Sequence, residues 1–419
     1  MNSFQTIVLG IFGVFIVAGL LAVALTKQRS GGAEVVSLTM WGSLEREAVD
    51  NALARAVNSD TLRVTYREIS ENSLDRELLE ALASRKGPDI ILLPLPLLSR
   101  YKDKLRLTPY GTYTERLFKD TFLQAADLFL SPQGIFAFPF SVDPLVMYYN
   151  RDFLDEVGVA EPPRFWDEFI SLARDLTIRD EYGNISRSAV ALGEYRNIYH
   201  AREILATLFM QGGIPVTAGG ASASRAALDK RGASSVLDFY TEFANPLKPV
   251  YSWNRSLPSS REMFLSSRLG VYFGFGSEYA DLRRANPNLD FDVASFPRPR
   301  DASVGITFGK LTGVAILRTA RNLAAALQVA LTLSSVKASS VYIAATRLPP
   351  VQRSLLSQKP TDAFGAVMYD AAIRARGFID PNPQVSATAF RNMIESATGG
   401  RARSTEAVRD AERALQEAF

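Results

Sequence analysis

Three strand-length runs in the first hundred residues constrain this chain more than anything else in it. They are "EVVSLTMWG" (34–42), "LRVTYREIS" (62–70) and "DIILLPLP" (89–96). The first and third are apolar almost without interruption, and the second alternates. Between them, Glu45–Val57 places Ala48, Ala52, Leu53 and Ala56 at helical spacing, and Leu74–Ala83 forms a second helix closed by Gly87-Pro88. Strands of this kind alternating with helices predict an α/β fold whose mainly parallel sheet is covered on both faces. Such sheets bind ligands beyond the carboxyl ends of their strands. That rule makes Trp41, Gly42 and Ser43, with Leu95 and Pro96, candidate site residues.

The pattern returns further along. "LGVYFGF" (269–275) runs into Gly276-Ser277 and a helix. "NLDFDVASFPRPR" (288–300) is a strand broken by prolines. "LTGVAIL" (311–317) is again of the apolar parallel-strand type, followed by an Ala-rich helix over 322–333. The chain closes with two helices around "TGGRARSTEA", with Ser404 or Thr405 as the second N-cap. At 419 residues the chain is too long for one simple core, so two domains are expected.

Composition removes several functions. The formal charge is only +3, and the cations are scattered, which argues against nucleic acid as a partner. Cysteine is absent, so disulfides, thiolate metal sites, cysteine nucleophiles and a lipoprotein anchor are excluded. The single histidine, His200, stands three residues before Glu203, but one histidine without cysteine makes a poor metal site. No cofactor is expected. The Asp152, Asp155 and Glu156 group reads as a solvated helix face.

The first residues behave differently. Ile7–Leu25, "IVLGIFGVFIVAGLLAVAL", holds 19 residues without a charge, ~28 Å as a helix and close to a bilayer's hydrocarbon thickness. The segment is expected to be an N-terminal membrane helix, with a cleaved signal as the alternative, since Ala22-Val23-Ala24 offers small residues for a peptidase. Ser30-Gly31-Gly32 then serves as a flexible linker. Lys27 and Arg29 follow the segment and alone would favour a cytoplasmic domain.

The stretch "FPFSVDPLVMYYNRDFLDEVGV" (138–159) places Asp143 between two proline-marked extended segments, with a turn expected at Asp143-Pro144. It is followed by "EPPRFWDEF" (161–169), a helix start whose Trp166 belongs to an apolar face with Phe169, Ile170, Ala173 and Leu176. Taken in order with "VVSLTMWG", "PDIILLPLPLLSRY", "REMFLSSRLGVYFGFGS", "FDVASFPRPR" and "TRLPPV", these segments resemble the extracellular solute-binding proteins of ABC importers. The likeness is to the large type that includes maltodextrin and oligosaccharide binders, and it covers nearly all of residues 35–419.

The resemblance implies two α/β lobes of the type II periplasmic-binding kind, joined by crossovers near Phe140–Asp143, Ser295–Pro299 and Arg347–Pro350. Lobe 1 would comprise 35–141 and 298–346, and lobe 2 142–297 and 347–419. Proline in each crossover would stiffen it. The implied protein is a monomeric, non-enzymatic receptor outside the cytoplasmic membrane. It closes on a saccharide or similar polar solute and delivers it to an ABC permease; a micromolar affinity needs only ~8 kcal/mol.

Asp143 would then stand at the cleft wall, accepting hydrogen bonds from solute hydroxyls or a cation, or else capping its turn. Trp41 would stack on a sugar face or belong to the core. Trp253, among polar neighbours in "PVYSWNRS", has the same two readings. The family places cleft aromatics near Tyr195 and Tyr199, and a backbone turn near Gly276 and Ser277. Arg347 would bind an anionic group or form a surface ion pair. The "SATAF" segment (386–390) offers only Phe390 where maltodextrin binders carry an aromatic platform. Two other functions compete: a glycan-active enzyme pairing Asp143 with Glu278, and a surface sensor or adhesion subunit on the same fold.

Overall fold

The computed structural model describes residues 35–302 and 304–419. The apolar segment expected to be a membrane helix lies outside them. Among the described residues, no single helix is long and apolar enough to cross a membrane.

The elements that position the site are β1 (Val36–Gly42), α1 (Arg46–Ala52), β2 (Leu62–Glu68), α2 (Glu71–Ala83), β3 (Ile90–Pro94) and β4 (Ala137–Asn150). They continue with α3 (Glu168–Leu176), β5 (Ile178–Arg179), β6 (Ile185–Val190), α4 (Ala201–Gln211), β7 (Leu269–Phe275), β8 (Phe291–Ala294) and β9 (Thr307–Ile316). Then come α5 (Leu323–Leu333), α6 (Val336–Thr346), α7 (Ala363–Arg374), β10 (Ala375–Arg376), α8 (Pro383–Thr398) and α9 (Ser404–Glu417).

These ten strands form one sheet in the order β2-β1-β3-β9-β4-β7-β6-β5, with β8 on β4 and β10 on β9. β1 is parallel to β2 and β3, and β7 is parallel to β6. In contrast, β9 runs antiparallel to both β3 and β4, and β4 runs antiparallel to β7. The sheet is therefore mixed, where a mainly parallel one was expected in each half. The apolar run of β9 is buried along nearly its whole length, and that burial is what its sequence reports. Burial on both faces carries no information about strand direction.

A second correction concerns the stretch around Asp143. No turn occurs at Asp143-Pro144, because residues 137–150 form one continuous strand. Its first half pairs with β9 and its second half with β7 and β8, so a single strand passes from one half of the molecule to the other. Prolines lack an N–H for the ladder. The pairing with β9 slips by a residue between Thr312 and Gly313, opposite Ser141 and Pro139.

Two buried clusters flank that strand. One gathers β1–β3, the Phe138–Val142 part of β4, the apolar face of β9, α5 and α6; it also takes in Leu348, Val351, Leu356 and Ile379. The other gathers Leu145–Tyr148, Trp166, Phe169, Trp253, β7, Phe308 and the apolar sides of α4, α8 and α9. Trp166 is buried as expected, with its indole N–H on Gln211 Oε1 at 2.8 Å, whereas Ile170 is exposed and Leu172 takes its place in the core.

Helix starts follow local chemistry. The Asn322 side chain accepts the Ala325 N–H at 3.0 Å to cap α5, and Asn382 with Pro383 opens α8. Ser404 is the first residue of α9, not its cap, and its hydroxyl bonds Asp238 instead.

Candidate functional site

A cavity of about 620 Å³ lies between the two clusters. The residues that follow β1, Ser43–Glu45, and those at the end of β3 and just after it, Pro94–Pro96, form part of its wall, as expected for the carboxyl ends of parallel strands. β4 contributes Ser141 and Asp143, β9 contributes Phe308–Thr312, and the end of α6 contributes Ala345 and Thr346. The opposite wall comes from Arg202 and Glu203 on α4, Ser277, and Phe378 with Asp380.

Asp143 is one of three buried acids in this wall, with Glu203 and Asp380. It is 9% exposed, and its Oδ1 accepts the Ser277 N–H at 3.1 Å. Burial pushes its carboxyl up to about 6, against the opposing pull of Ser277 and of the Lys310 ammonium. Lys310 pairs with Asp143 across the β4–β9 ladder, so the two side chains share a face. The Lys310 Nζ sits 4.3 Å above the Phe275 ring and 3.8 Å from Glu71 Oε2. It thus touches the second cluster through Phe275 and the first half through Glu71.

Glycine before Ser277 leaves room for Met368 and Asp143. A Cβ on Gly276 would stand 2.5 Å from Met368 Sδ and 3.2 Å from Asp143 Oδ1. Behind the turn, Glu278 is fully engaged. Its Oε1 accepts the Phe275 N–H at 2.8 Å and lies 2.7 Å from His200 Nε2, while Oε2 accepts Tyr272 O–H at 2.6 Å. Burial opposes ionisation of Glu278, but the His200 contact and the other donors outweigh it and hold the carboxyl below its ordinary range. His200 therefore partners Glu278, not the Glu203 of its own segment.

The other buried charge cluster is a triad. The Arg202 guanidinium lies 2.7 Å from Glu203 Oε1 and 3.2 Å from Asp380 Oδ2. Burial alone would raise Glu203, yet the adjacent guanidinium holds it at about 2. One guanidinium serves two carboxylates, so burial wins at Asp380 and its carboxyl is pushed up. Buried polar groups facing a cavity in this way are oriented donors and acceptors for a polar guest.

The structure brings Ser43, Asp143 and Ser277 to the cavity wall, and Gly276 immediately behind it. Trp41 is half-buried at the end of β1, with the Arg67 guanidinium 4.7 Å over its ring, and is not part of the wall. Gly42 packs against Leu92, where a Cβ would sit 2.7 Å from the Leu92 Cβ. Trp253 is fully buried in the second core, its indole N–H on Asn197 Oδ1 at 3.1 Å. That places it under a loop and away from the cavity. Tyr195 packs against the same core, and Tyr199 is exposed beside His200.

Arg347 ends α6 in the left-handed region, ion-paired to Asp362 at 2.9 Å and lying over Phe364, while its neighbours Thr346 and Leu348 reach the cavity. Phe390 is fully buried in the second core. Sequence reasoning passed over Arg202, Lys310, Tyr342, Phe378 and Asp380. Lys310 left a trace: it is the one charged residue in the otherwise apolar or neutral run 306–317.

Comparison with known proteins agrees with this architecture. Residues 58–338 match the family described as bacterial extracellular solute-binding protein. Among solved structures, a cyclo/maltodextrin-binding protein complexed with maltotetraose aligns at a TM-score of 0.73 and 16% identity, covering 93% of this chain and 98% of that one. The sugar-binding protein MalE of Xanthomonas citri aligns at 0.72 and 19%, covering 91% and 97%. An ABC transporter solute-binding protein of Thermotoga lettingae bound to α-D-tagatose aligns at 0.66 and 18%, covering 91% and 99%. At these identities the structural likeness establishes the fold. The family match spans well over half of the chain, and with it the chain belongs to the bacterial extracellular solute-binding proteins.

Proposed function

We propose that this chain is the solute-capturing subunit of an ABC importer, and that its solute is a saccharide or a similar polar small molecule. The observation that carries the reading is the cavity walled by both cores, with Asp143 and Lys310 on one side and the Arg202–Glu203–Asp380 triad on the other. Similar proteins are described as bound to maltotetraose and tagatose, which supports the solute class.

In this reading the two lobes are 35–141 with 298–346, and 142–297 with 347–419, the 348–356 segment packing back onto the first core. They close over the guest by bending at β4 and at the other two crossovers. Ser43, Asp143 and Ser277, joined by Arg202, Glu203, Lys310 and Asp380, supply the hydrogen bonds. The protein acts as a monomer, breaks no bond in its guest, and passes it to a permease. Its N-terminal segment holds it at the outer face of the membrane, or is cleaved to release it. The alternative enzyme pairing of Asp143 with Glu278 lacks a free base, since both Glu278 oxygens are occupied by donors.

The test is a thermal-shift screen across mono- and oligosaccharides, polyols and amino-acid derivatives, with calorimetric titration of the hits. A true guest at a hundredfold its Kd stabilises by about 2.7 kcal/mol and is recovered unaltered. Recovery of a cleaved product would support the enzyme instead. Stabilisation by no saccharide would remove the proposed solute class. Protease applied to intact cells checks the placement: full protection of the large domain would exclude an outer location.

A further inference from the structure

Three segments meet at the end of the sheet where β1 and β3 begin: the loop Ser84–Pro88 after α2, the turn Lys102–Arg106, and the turn Leu317–Arg321 after β9. Backbone bonds lock them together. Arg106 N–H donates to Ile316 O at 2.7 Å, Arg318 N–H to Lys104 O at 2.9 Å, and Leu317 N–H to Asp89 O at 3.1 Å. Arg85, Lys86, Lys104, Arg106, Arg318 and Arg321 are all exposed on this pole.

The acids near them are few. Asp89 is buried and spoken for by Arg321 at 2.8 Å and by the Thr39 N–H at 2.8 Å. Asp103 and Asp60 are exposed, and Glu80 on α2 pairs with Arg76. The six exposed cations, with half-buried Lys102 beside them, outnumber Asp60, Asp89 and Asp103 and leave this pole with a net positive charge. A recess of about 580 Å³ opens beside Arg85, Lys86, Thr319 and Arg321.

The described chain begins at the same pole. Val36 donates its N–H to Thr61 O at the start of β1, and β1 then runs away from the pole to Ser43 at the cavity. In sequence, only Thr26–Glu34 separate Val35 from the apolar run 7–25, and Lys27 and Arg29 lie among them. Fully extended, that connection reaches about 30 Å.

We propose that this pole rests on an anionic phospholipid surface. Clustered Lys and Arg beside a bilayer are drawn to anionic headgroups within about one Debye length, roughly 8 Å. The nearness of the lipid rests on the anchoring reading of residues 7–25, whereas the charge match does not. The cavity lies at the far ends of β1 and β3, so the resting protein keeps it open to solvent. It has to lift off before it can turn the cavity toward a membrane-embedded partner.

The absence of cysteine makes the test direct. The full chain carrying Thr319→Cys on this pole, or Leu247→Cys in the half built on the second core, is labelled with a donor. It is reconstituted into vesicles of phosphatidylcholine, alone or mixed with phosphatidylglycerol, that carry a headgroup acceptor. Energy transfer from position 319 should rise in the mixed vesicles, fall back at high salt, and exceed that from position 247. R85Q/K86Q/K104Q/R106Q should return it to the neutral-vesicle level, each lost charge lowering the resting population about fivefold. None of these four side chains makes a hydrogen bond or ion pair among the described residues. The charge-reversal pair K104E/R106E gives an independent check.

Flotation with both vesicle types but transfer indifferent to composition overturns the proposal and leaves the anchor intact. Flotation with anionic vesicles only supports the pole and removes the anchor. Flotation with neither removes both. An acidic protein surface as the true occupant would show as transfer that appears only when membrane protein is added, which also overturns the lipid assignment.

Discussion

Replacing Arg202 with methionine is the sharpest probe of the site's electrostatics. Methionine fills most of the same volume but deprives Glu203 and Asp380 of the guanidinium that pairs with both, and Asp380 is 1% exposed. Breaking a buried ion pair from one side costs about 3–5 kcal/mol. Glu203 gives a second figure. Its carboxyl is held at about 2 against an ordinary 4.5, and at 1.36 kcal/mol per unit that is worth about 3 kcal/mol.

The sign follows from the depressed value. This contribution is present above the ordinary carboxylate range and is lost only as pH falls through about 2, so the wild type keeps it at pH 4.5. In the variant the two carboxyls take up protons as pH falls below their raised values, and the cost of burying charge disappears. Thermal and urea unfolding at pH 7.5 should therefore show a loss of about 3–5 kcal/mol, roughly 5 °C if the described chain unfolds as one unit. The gap should shrink by roughly 2 kcal/mol or more at pH 4.5. A loss below about 1 kcal/mol, or a gap independent of pH, would refute the claim that one guanidinium neutralises this wall of the cavity.

Other perturbations separate packing from binding. Asp143→Asn removes an acid whose folded value is raised from 3.8 to about 6, a contribution fully present below about pH 4 and lost as pH rises through about 6. Without solute the variant should be up to ~3 kcal/mol more stable than wild type above pH 7 and indistinguishable below pH 4, while solute affinity by calorimetry falls at least ~10-fold. Trp253→Phe should cost about 1–3 kcal/mol in urea unfolding through the lost Asn197 bond and the space left behind, with Kd unchanged; a changed Kd would return Trp253 to the cavity. Gly276→Ala should cost about 1–3 kcal/mol by pressing on Met368 and weaken solute binding by displacing Asp143, measured by melting and titration. Lys310→Met keeps the contact over Phe275 and removes the charge beside Asp143, so the Asp143 carboxyl observed by NMR should titrate above about 6.

The agreement between sequence and structure is uneven, and the unevenness has a cause at each residue. Residues whose environment is set by near neighbours were placed well. Trp166 is buried, although it stands in the turn before α3, and Ser43 follows the carboxyl end of β1 at the cavity. Trp253 misled because polar neighbours in sequence do not reveal what lies beneath a loop; in space the indole is surrounded by the second core. Arg202 and Asp380 are 178 residues apart, and nothing in the sequence pairs them.

By itself the sequence determined the alternation of strands and helices, the burial of each strand, and the proline-marked passage that carries Asp143. These are local quantities, fixed by side-chain hydrophobicity and by which backbone groups can donate. Tertiary structure decided strand direction, the single continuous strand through residues 137–150, and the meeting of Asp143, Lys310 and the Arg202 triad around one space. Direction and meeting depend on how distant segments share hydrogen bonds and counter-charges, and a linear pattern of apolar residues holds no record of either.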